Sequence, residues 1–317
     1  GRDTLIALPG LTSVLGRDDL TKKILLFTLS RAVDGLIPNR FWRNEVEFNS
    51  SDASMFFFYA LFKHLLYTND IDCIEGNWGA LKEIIKRYSN PTGDIVRMDN
   101  DGLVSVAGGT TWMDAQVDGR PVTPRDGKPV EINALWYNAL RLMEDLGEKI
   151  EKNTDFAVGS DKVKKSFLDK FWNAEGGYLY DVVHEEMSDR KVRPNQIFAL
   201  SLPFPLLEGE KAKNVLKVVR EELETPCGLR SLSSNSPGYQ GEYTGDMRSK
   251  DLAYHQGTVW SWLIGPYVTS LIRFGGDEES EHAKDLIESF VEDHIDESGL
   301  GTVSEVFDGN KPYNPDG

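Results

Sequence analysis

The sequence of 317 residues predicts an all-α fold, specifically an (α/α)6 barrel or six-hairpin toroid lacking its first and last helices, and three observations lead there. Ten stretches have helical length and carry either one apolar face or apolar residues all round. The connections between them alternate between very short and very long. The acidic, aromatic and Arg-rich clusters fall in the long ones. Short links near 16–18, at Asn69 and Asn153, at Glu208-Gly209 and at Gly275-Gly276 permit only antiparallel helix hairpins. Each hairpin reverses the chain, so the long segments 35–51, 89–129, 173–193, 225–255 and 295–317 are expected to share one rim, where function is sought. Two more helices would close a ring of twelve.

Each element has its own signal. Asp3 is the expected cap of a first helix over 4–15, with Pro9 kinking it or lying near its first turn. Asp19 starts a second helix in which Ile24, Leu25, Phe27, Thr28 and Leu29 crowd more than one face, predicting an inner helix buried all round. Ser51 or Asp52 caps a third, apolar on every side over 55–62, and a partner follows over 71–88. Turn signals at Pro91-Thr92-Gly93-Asp94 and Asn100-Asp101-Gly102 predict a small hairpin inside the long excursion to Pro129. Helices follow over 130–150 and 155–171, until Gly176-Gly177 break into an excursion holding Tyr178 and Tyr180. Pro194 opens a short helix to Leu202, and 210–223 is amphipathic. The apolar run 257–274 reads as a helix carrying Trp260 and Trp262, with Trp262 in the core. A charged outer helix over 278–294 and a loop over 296–317 end the chain.

Composition narrows the function. A chain that is 40% apolar and 10% aromatic can bury a large core, and no Pro/Ser/Gly-rich linker divides it, so 1–317 is expected to be a single domain. The net charge of −16 repels phosphate backbones and anionic membrane surfaces, which argues against nucleic acid and membrane as partners. Cys73 and Cys227 form no CxxC pair and neither lies beside a histidine in sequence, so neither a disulfide framework nor a structural zinc site is expected, and a reducing cytoplasm fits. No cofactor and no metal are implied, and nothing in the sequence sets the oligomeric state. The start at Gly1-Arg2-Asp3-Thr4, without an initiator methionine, is expected of a processed or excised piece.

Site chemistry separates the all-helical toroids. Terpene cyclases need a magnesium cluster of the DDxxD type, and Asp18-Asp19-Leu20-Thr21-Lys22 lacks its third carboxylate. Zinc-dependent rings need Cys/His ligand spacing that five scattered histidines and two cysteines do not offer. Carboxylate chemistry is left: inverting glycoside hydrolysis needs one acid to protonate the leaving oxygen and one carboxylate to activate water across the sugar ring. Asp114 in Thr111-Trp112-Met113-Asp114 is the sharpest candidate acid, because the bulk of Trp112 beside it would favour the protonated form. The competing reading is an Asp that caps a loop turn. Ser304-Glu305-Val306-Phe307-Asp308 supplies two further acids, either of which could be a base and both of which could be solvated tail charges.

Five motifs in order carry a resemblance. The run Gly1-Arg2-Asp3-Thr4-Leu5-Ile6-Ala7-Leu8-Pro9-Gly10-Leu11, then Thr111-Trp112-Met113-Asp114-Ala115, Arg193-Pro194-Asn195-Gln196, His255-Gln256-Gly257-Thr258-Val259-Trp260 and Ser304-Glu305-Val306-Phe307-Asp308-Gly309 together resemble the amylo-α-1,6-glucosidase domain of glycogen debranching enzymes. The resemblance runs over essentially the whole chain. It implies a barrel related to glucoamylases that removes single α-1,6-linked glucosyl stubs from a branched α-glucan or oligosaccharide, with inversion. It makes Asp114 the general acid and Glu305 the base. Arg2 and Asp3 would hold hydroxyls of the non-reducing glucose, Trp112 would be a sugar platform, and Asp52, Glu131, His255, Gln256 and Asp308 further substrate-binding residues. Relatives carry a β-rich N-terminal domain and a Gln-Ala-Trp-Ser helix after the last loop, which this chain lacks, so the catalytic domain is expected to be incomplete at both ends; no TIM-barrel transferase half is expected in it either. The alternatives are another inverting exo-glycosidase of the same barrel, of glucoamylase or trehalase type, and a non-catalytic glycan-binding fragment.

Overall fold

Helices carry the architecture, and the class is all-α as the periodicity predicts. The structure, a computed structural model, describes residues 1–42, 45–152, 154–185 and 187–316. The short link expected at Asn153 lies outside the described residues. Two compact units divide the chain: Gly1–Trp112 with Arg125–Phe167, and Met113–Pro124 with Leu168–Gly317. The boundary cuts the Thr111-Trp112-Met113-Asp114 motif in half.

In the first unit, α1 (Arg2–Leu11), α2 (Asp18–Ser30) and α6 (Val130–Lys149) pack on α3 (Ala53–Thr68). The α3 helix is buried all round as predicted: Met55, Phe56, Phe57 and Phe58 in succession are at most 2% exposed. Its cap differs from expectation. Asp52 occupies the N-cap position, but the hydroxyl of Ser50 accepts the backbone N–H groups of Asp52 and Ala53. Asp3 does not cap α1 either; the helix begins at Arg2 with Gly1 as N-cap, placing Asp3 inside the first turn. Nor is α2 an inner helix. Thr21, Leu25, Thr28 and Leu29 form one buried stripe, the ordinary spacing of an amphipathic helix, while Phe27 is 52% exposed beneath the Arg31 guanidinium.

The partner of α3 is broken into α4 (Asp72–Glu75) and α5 (Trp78–Tyr88) around Gly76. The predicted hairpin forms between Val96–Met98 and Val104–Val106. Asn133 of α6 pins it, donating to the carbonyl of Val104 and accepting the Val104 N–H. Trp136 stacks on Tyr88 at 5.9 Å and donates to the Gly102 carbonyl, so the helix and the excursion share one core. The helix α7 (Phe156–Lys170) follows.

The second unit holds α8 (Phe198–Ser201), α9 (Gly209–Glu222), α10 (Met247–Ala253), α11 (Ile264–Phe274) and α12 (Asp277–His294). It also holds a five-stranded antiparallel sheet that helical periodicity does not announce, in the order Glu224–Thr225, Gly228–Arg230, Val259–Trp260, Val306–Phe307, Pro315–Asp316. Three expectations are corrected here. The run 257–274 is not one helix: Val259–Trp260 is a strand, Ser261–Leu263 a 3-10 turn, and α11 starts only at Ile264, so Trp260 belongs to the sheet. Trp262 is half-buried rather than a full core residue, tilted against Phe198 at 5.8 Å. The tail after residue 295 is not loop alone, because Val306–Phe307 and Pro315–Asp316 pair into the sheet. Val259 and Phe307, directly opposed, pack with Cys227 beneath it.

Candidate active site

In the first unit, the predicted residues are drawn into two buried ion pairs. Arg2 donates through Nε to Oδ1 of Asp52 at 2.9 Å, both side chains almost wholly enclosed, and the Ser50 hydroxyl donates to the same oxygen at 2.5 Å. Arg125 grips Glu131 bidentately, Nη1 to Oε1 at 2.5 Å and Nη2 to Oε2 at 2.6 Å, and also donates to the Thr111 hydroxyl. Glu131 is 0% exposed. A planar guanidinium suits this work because its fork matches a carboxylate. The two pairs are tied together in the chain: Ser51, next to Asp52, donates its N–H and its hydroxyl to the Thr110 carbonyl, one residue before Thr111. Trp112 is 5% exposed. Asp3 stays on the exposed side of α1, outside the Arg2–Asp52 pair. Arg125 escaped the sequence reading; its φ of 49° in a Gly/Pro-rich loop is a signal visible only in the backbone.

The second unit gathers Asp114, His255, Gln256, Glu305 and Asp308. Asp114 is held through its neighbours. Met113 is fully buried, its sulfur 3.8 Å from Nη1 of Arg193 and 3.7 Å from Nδ2 of Asn195. The hairpin Gln116–Val117 with Arg120–Pro121 follows, and Arg248 at the start of α10 pairs with Asp118 in its turn at 2.6 Å. Arg193 is the hub, donating to the carbonyls of Ser231 and His255 and to Oε1 of Gln256, with Asp181 at 3.7 Å from its Nε. Asp181 in turn accepts from Asn195 at 2.8 Å. Gln256 passes the connection back to the acid segment, donating to the Thr123 hydroxyl at 3.0 Å. Both ends of the Gln256 amide are thereby engaged in protein contacts. The Arg193-Pro194-Asn195-Gln196 motif is a buried polar scaffold that joins the Asp114 segment to the His255 segment.

Glu305 lies at the start of the Val306–Phe307 strand. Its carbonyl and that of Ser304 are within 3.3 and 3.1 Å of the Ser261 hydroxyl, and Val306 is opposite Trp260. The far end of the tail is anchored by Lys250 with Asp316 at 2.5 Å. Glu305 itself is exposed, and Asp308 three residues on is 5% exposed with both oxygens occupied, Oδ1 by the Tyr243 N–H at 2.6 Å and Oδ2 by Asn314 at 2.8 Å. Burial sorts the two acids: Asp308 organises a loop, and Glu305 faces outward. Beside Glu305 stands an aromatic group that the sequence reading did not single out. Tyr254 lies 5.4 Å from Tyr243, 4.7 Å from Trp260 and 4.8 Å from His255, whose ring stacks on Trp260 at 5.4 Å and 9°. Burial pushes the Tyr254 phenol well above the usual tyrosine range, and the charges of Glu305, Tyr243 and Asp114 push it further.

A family profile described as amylo-alpha-1,6-glucosidase matches residues 1–317. The chain belongs to that family. Members of the amylo-alpha-1,6-glucosidase family are glycoside hydrolases, and the carboxylate-centred geometry above is in keeping with that class. The chain is 25% identical over 371 aligned residues to the glycogen debranching enzyme of Saccharomyces cerevisiae, covering 86% of this chain and 24% of that relative. It therefore spans about a quarter of the length of the curated relative it matches. Among the described residues, no helix is long and apolar enough to cross a membrane, and no cluster of three or more His, Cys, Asp or Glu residues could hold a metal ion.

Proposed function

We propose that this chain hydrolyses single α-1,6-linked glucosyl stubs on a branched α-glucan, with inversion, using Asp114 as general acid and Glu305 as general base. With this reading goes the six-hairpin toroid as its fold. The observation that carries it is that one compact unit ties the Asp114 segment to Arg193 through Met113 and to Gln256 through Thr123, Gln256 lying on the segment whose Trp260 pairs with Val306, the residue after Glu305. Family membership supports the reaction class. Asp114 donates its proton to the glycosidic oxygen as the bond from C1 breaks. Glu305 takes a proton from a water that attacks C1 from the opposite face, and β-glucose leaves. Arg2, Asp52 and Glu131, which the resemblance makes sugar-holding residues, are each fixed in a buried ion pair of the first unit. Asp308, with both oxygens engaged, is assigned to the loop around Tyr243 and not to proton transfer.

The test is product analysis on a phosphorylase-trimmed limit dextrin. Glucose released from the dextrin but not from maltose or trehalose supports the α-1,6 assignment, and release from maltose or trehalose would move the chain to the glucoamylase or trehalase type. NMR observation of the first-formed anomer reads the stereochemistry: β-glucose supports inversion, and α-glucose would overturn it. In a ligand complex the two carboxyl groups should stand about 6.5–9.5 Å apart, leaving space for the water. Binding of the dextrin without any turnover would favour a glycan-binding fragment.

A further inference from the structure

Two tethers hold the segment that carries Asp114. On its near side Met113 is fully buried, its sulfur 3.8 Å from Nη1 of Arg193 and 3.7 Å from Nδ2 of Asn195. On its far side the carbonyl of Ala115 accepts the Val122 N–H at 2.9 Å, and the hydroxyl of Thr123, the next residue, accepts from Nε2 of Gln256 at 3.0 Å. Oε1 of the same amide accepts from Nη2 of Arg193 at 3.0 Å. Both tethers therefore end on one guanidinium, itself enclosed with Asp181 at 3.7 Å. The hairpin tip also pairs Asp118 with Arg248, but both of those side chains are more than half exposed, and such pairs contribute little. We infer that Gln256 is a positioning residue for the general acid, holding the return limb of the Asp114 loop at a fixed distance from Arg193, and not a ligand of the sugar.

This role rests on the reading of Asp114 as the acid. The Gln256 amide has little left to offer a sugar hydroxyl. Its N–H groups are directed at the Thr123 hydroxyl and, at 3.4 Å, the Val122 carbonyl, and Arg193 takes one of the two lone pairs of Oε1. The same partners fix which end is oxygen, because only oxygen can accept from a guanidinium and only nitrogen can donate to a carbonyl. The backbone behind the amide is held as well: the Gln256 N–H donates to the Ala253 carbonyl at 2.9 Å, and its carbonyl accepts from the Gln240 N–H at 2.7 Å. With the backbone and one end of the side chain fixed, the other end sets where Thr123 stands, and through Val122 where Ala115 stands beside Asp114. A general acid acts only within hydrogen-bond reach of the glycosidic oxygen, so a displacement of about 1 Å in its loop costs on the order of 10²-fold in rate.

Gln256→Met keeps the length of the side chain and removes both polar ends. Its kcat on limit dextrin should fall roughly 10- to 100-fold, while hydrolysis of α-glucosyl fluoride, whose leaving fluoride needs little protonation, stays within about twofold of the parent. Inhibition by glucose should be unchanged. A sugar ligand behaves otherwise: equal losses on the two substrates with weaker glucose inhibition would overturn the inference, as would parental kcat on dextrin. Thr123→Val breaks the same contact from its other end and does not depend on Gln256→Met folding. It should cut kcat on dextrin about 3- to 10-fold, again sparing the fluoride, and Thr123→Ser should restore it. In the double variant the two losses should not add, because both remove one contact; additive losses would overturn the inference. Failure of the underlying reading looks different: Asp114→Asn that loses as much on the fluoride as on dextrin removes Asp114 as acid. Asp114→Asn that spares the fluoride, beside a Gln256→Met that does not, removes only the role of Gln256.

Discussion

The Arg125–Glu131 region and the Tyr254–Glu305 region both place carboxylates among aromatic and polar partners, yet they treat them in opposite ways. Glu131 is wholly buried and clamped by both arms of a guanidinium. Glu305 is exposed at a strand end, its backbone fixed by Ser261. A clamped carboxylate cannot exchange protons without breaking its ion pair, so it can shape a site but not perform acid/base chemistry. An exposed carboxylate can. Burial and partner chemistry, more than residue type, separate a clamped carboxylate from an exposed one.

The widest gap between the regions should appear in variants that keep shape. Asp114→Asn or Glu305→Gln should lose about 10²–10⁴-fold in kcat, with a melting curve like that of the parent. Wild-type turnover in either, measured on limit dextrin, would erase the distinction. Glu131→Gln should do the reverse. It leaves Arg125 as an uncompensated buried cation, at a cost of roughly 3–5 kcal/mol in a urea melt, and activity should fall only as the folded fraction falls.

Asp308→Asn sharpens the comparison inside a single motif. Its side chain would still reach Asn314 or Tyr243 but with a weaker acceptor, and the cost should be about 1–3 kcal/mol in stability with a modest change in kcat. A loss of turnover matching Glu305→Gln, at unchanged stability, would make Asp308 the base. The sheet under Glu305 offers a quieter check. Burial pushes the Cys227 thiol up to about 12, with Glu297 and Asp293 adding to it, and its sulfur lies 3.1 Å from Nε2 of His294. At pH 8 Cys227 should react with a disulfide reagent only as fast as the unit opens, which parallel hydrogen exchange at Leu229 would measure.

The smallest effect concerns Asp70. A hydrogen bond from Lys22 holds its carboxyl below the ordinary value of 3.8, although burial opposes this. A depressed folded value means that the contribution is present above the ordinary value and fades as pH falls through the depressed one. Asp70→Asn should therefore lower stability by about 0.2–1 kcal/mol at pH 7 and by less near pH 2. A difference that grows on acidification would contradict the sign.

Local signals were enough for much of this. The apolar run of α3, the hairpin turns before and after Val96–Met98, and the helix starts near Val130 and Pro194 could all be read from neighbouring residues, because helix and turn preferences act within a few positions. Asp114 and Glu305 stood out through their motifs. What could not be read was pairing. The sheet joins strands of two or three residues from segments scattered between 224 and 316, too short to show alternation. For that reason Trp260 passed for a helix residue and the tail for loop.

The sequence by itself determined the helical class, the candidate acids and the family, since each depends on residue order alone. Only the tertiary structure decided which acids are clamped and which face outward, and that Tyr254 packs on Trp260, the strand partner of Val306. The difference is physical: the ion pairs of Arg2 with Asp52 and Arg193 with Asp181, the stack of His255 on Trp260 and the tilted packing of Tyr254 on Trp260 depend on distances between side chains that folding sets after the backbone has chosen its elements.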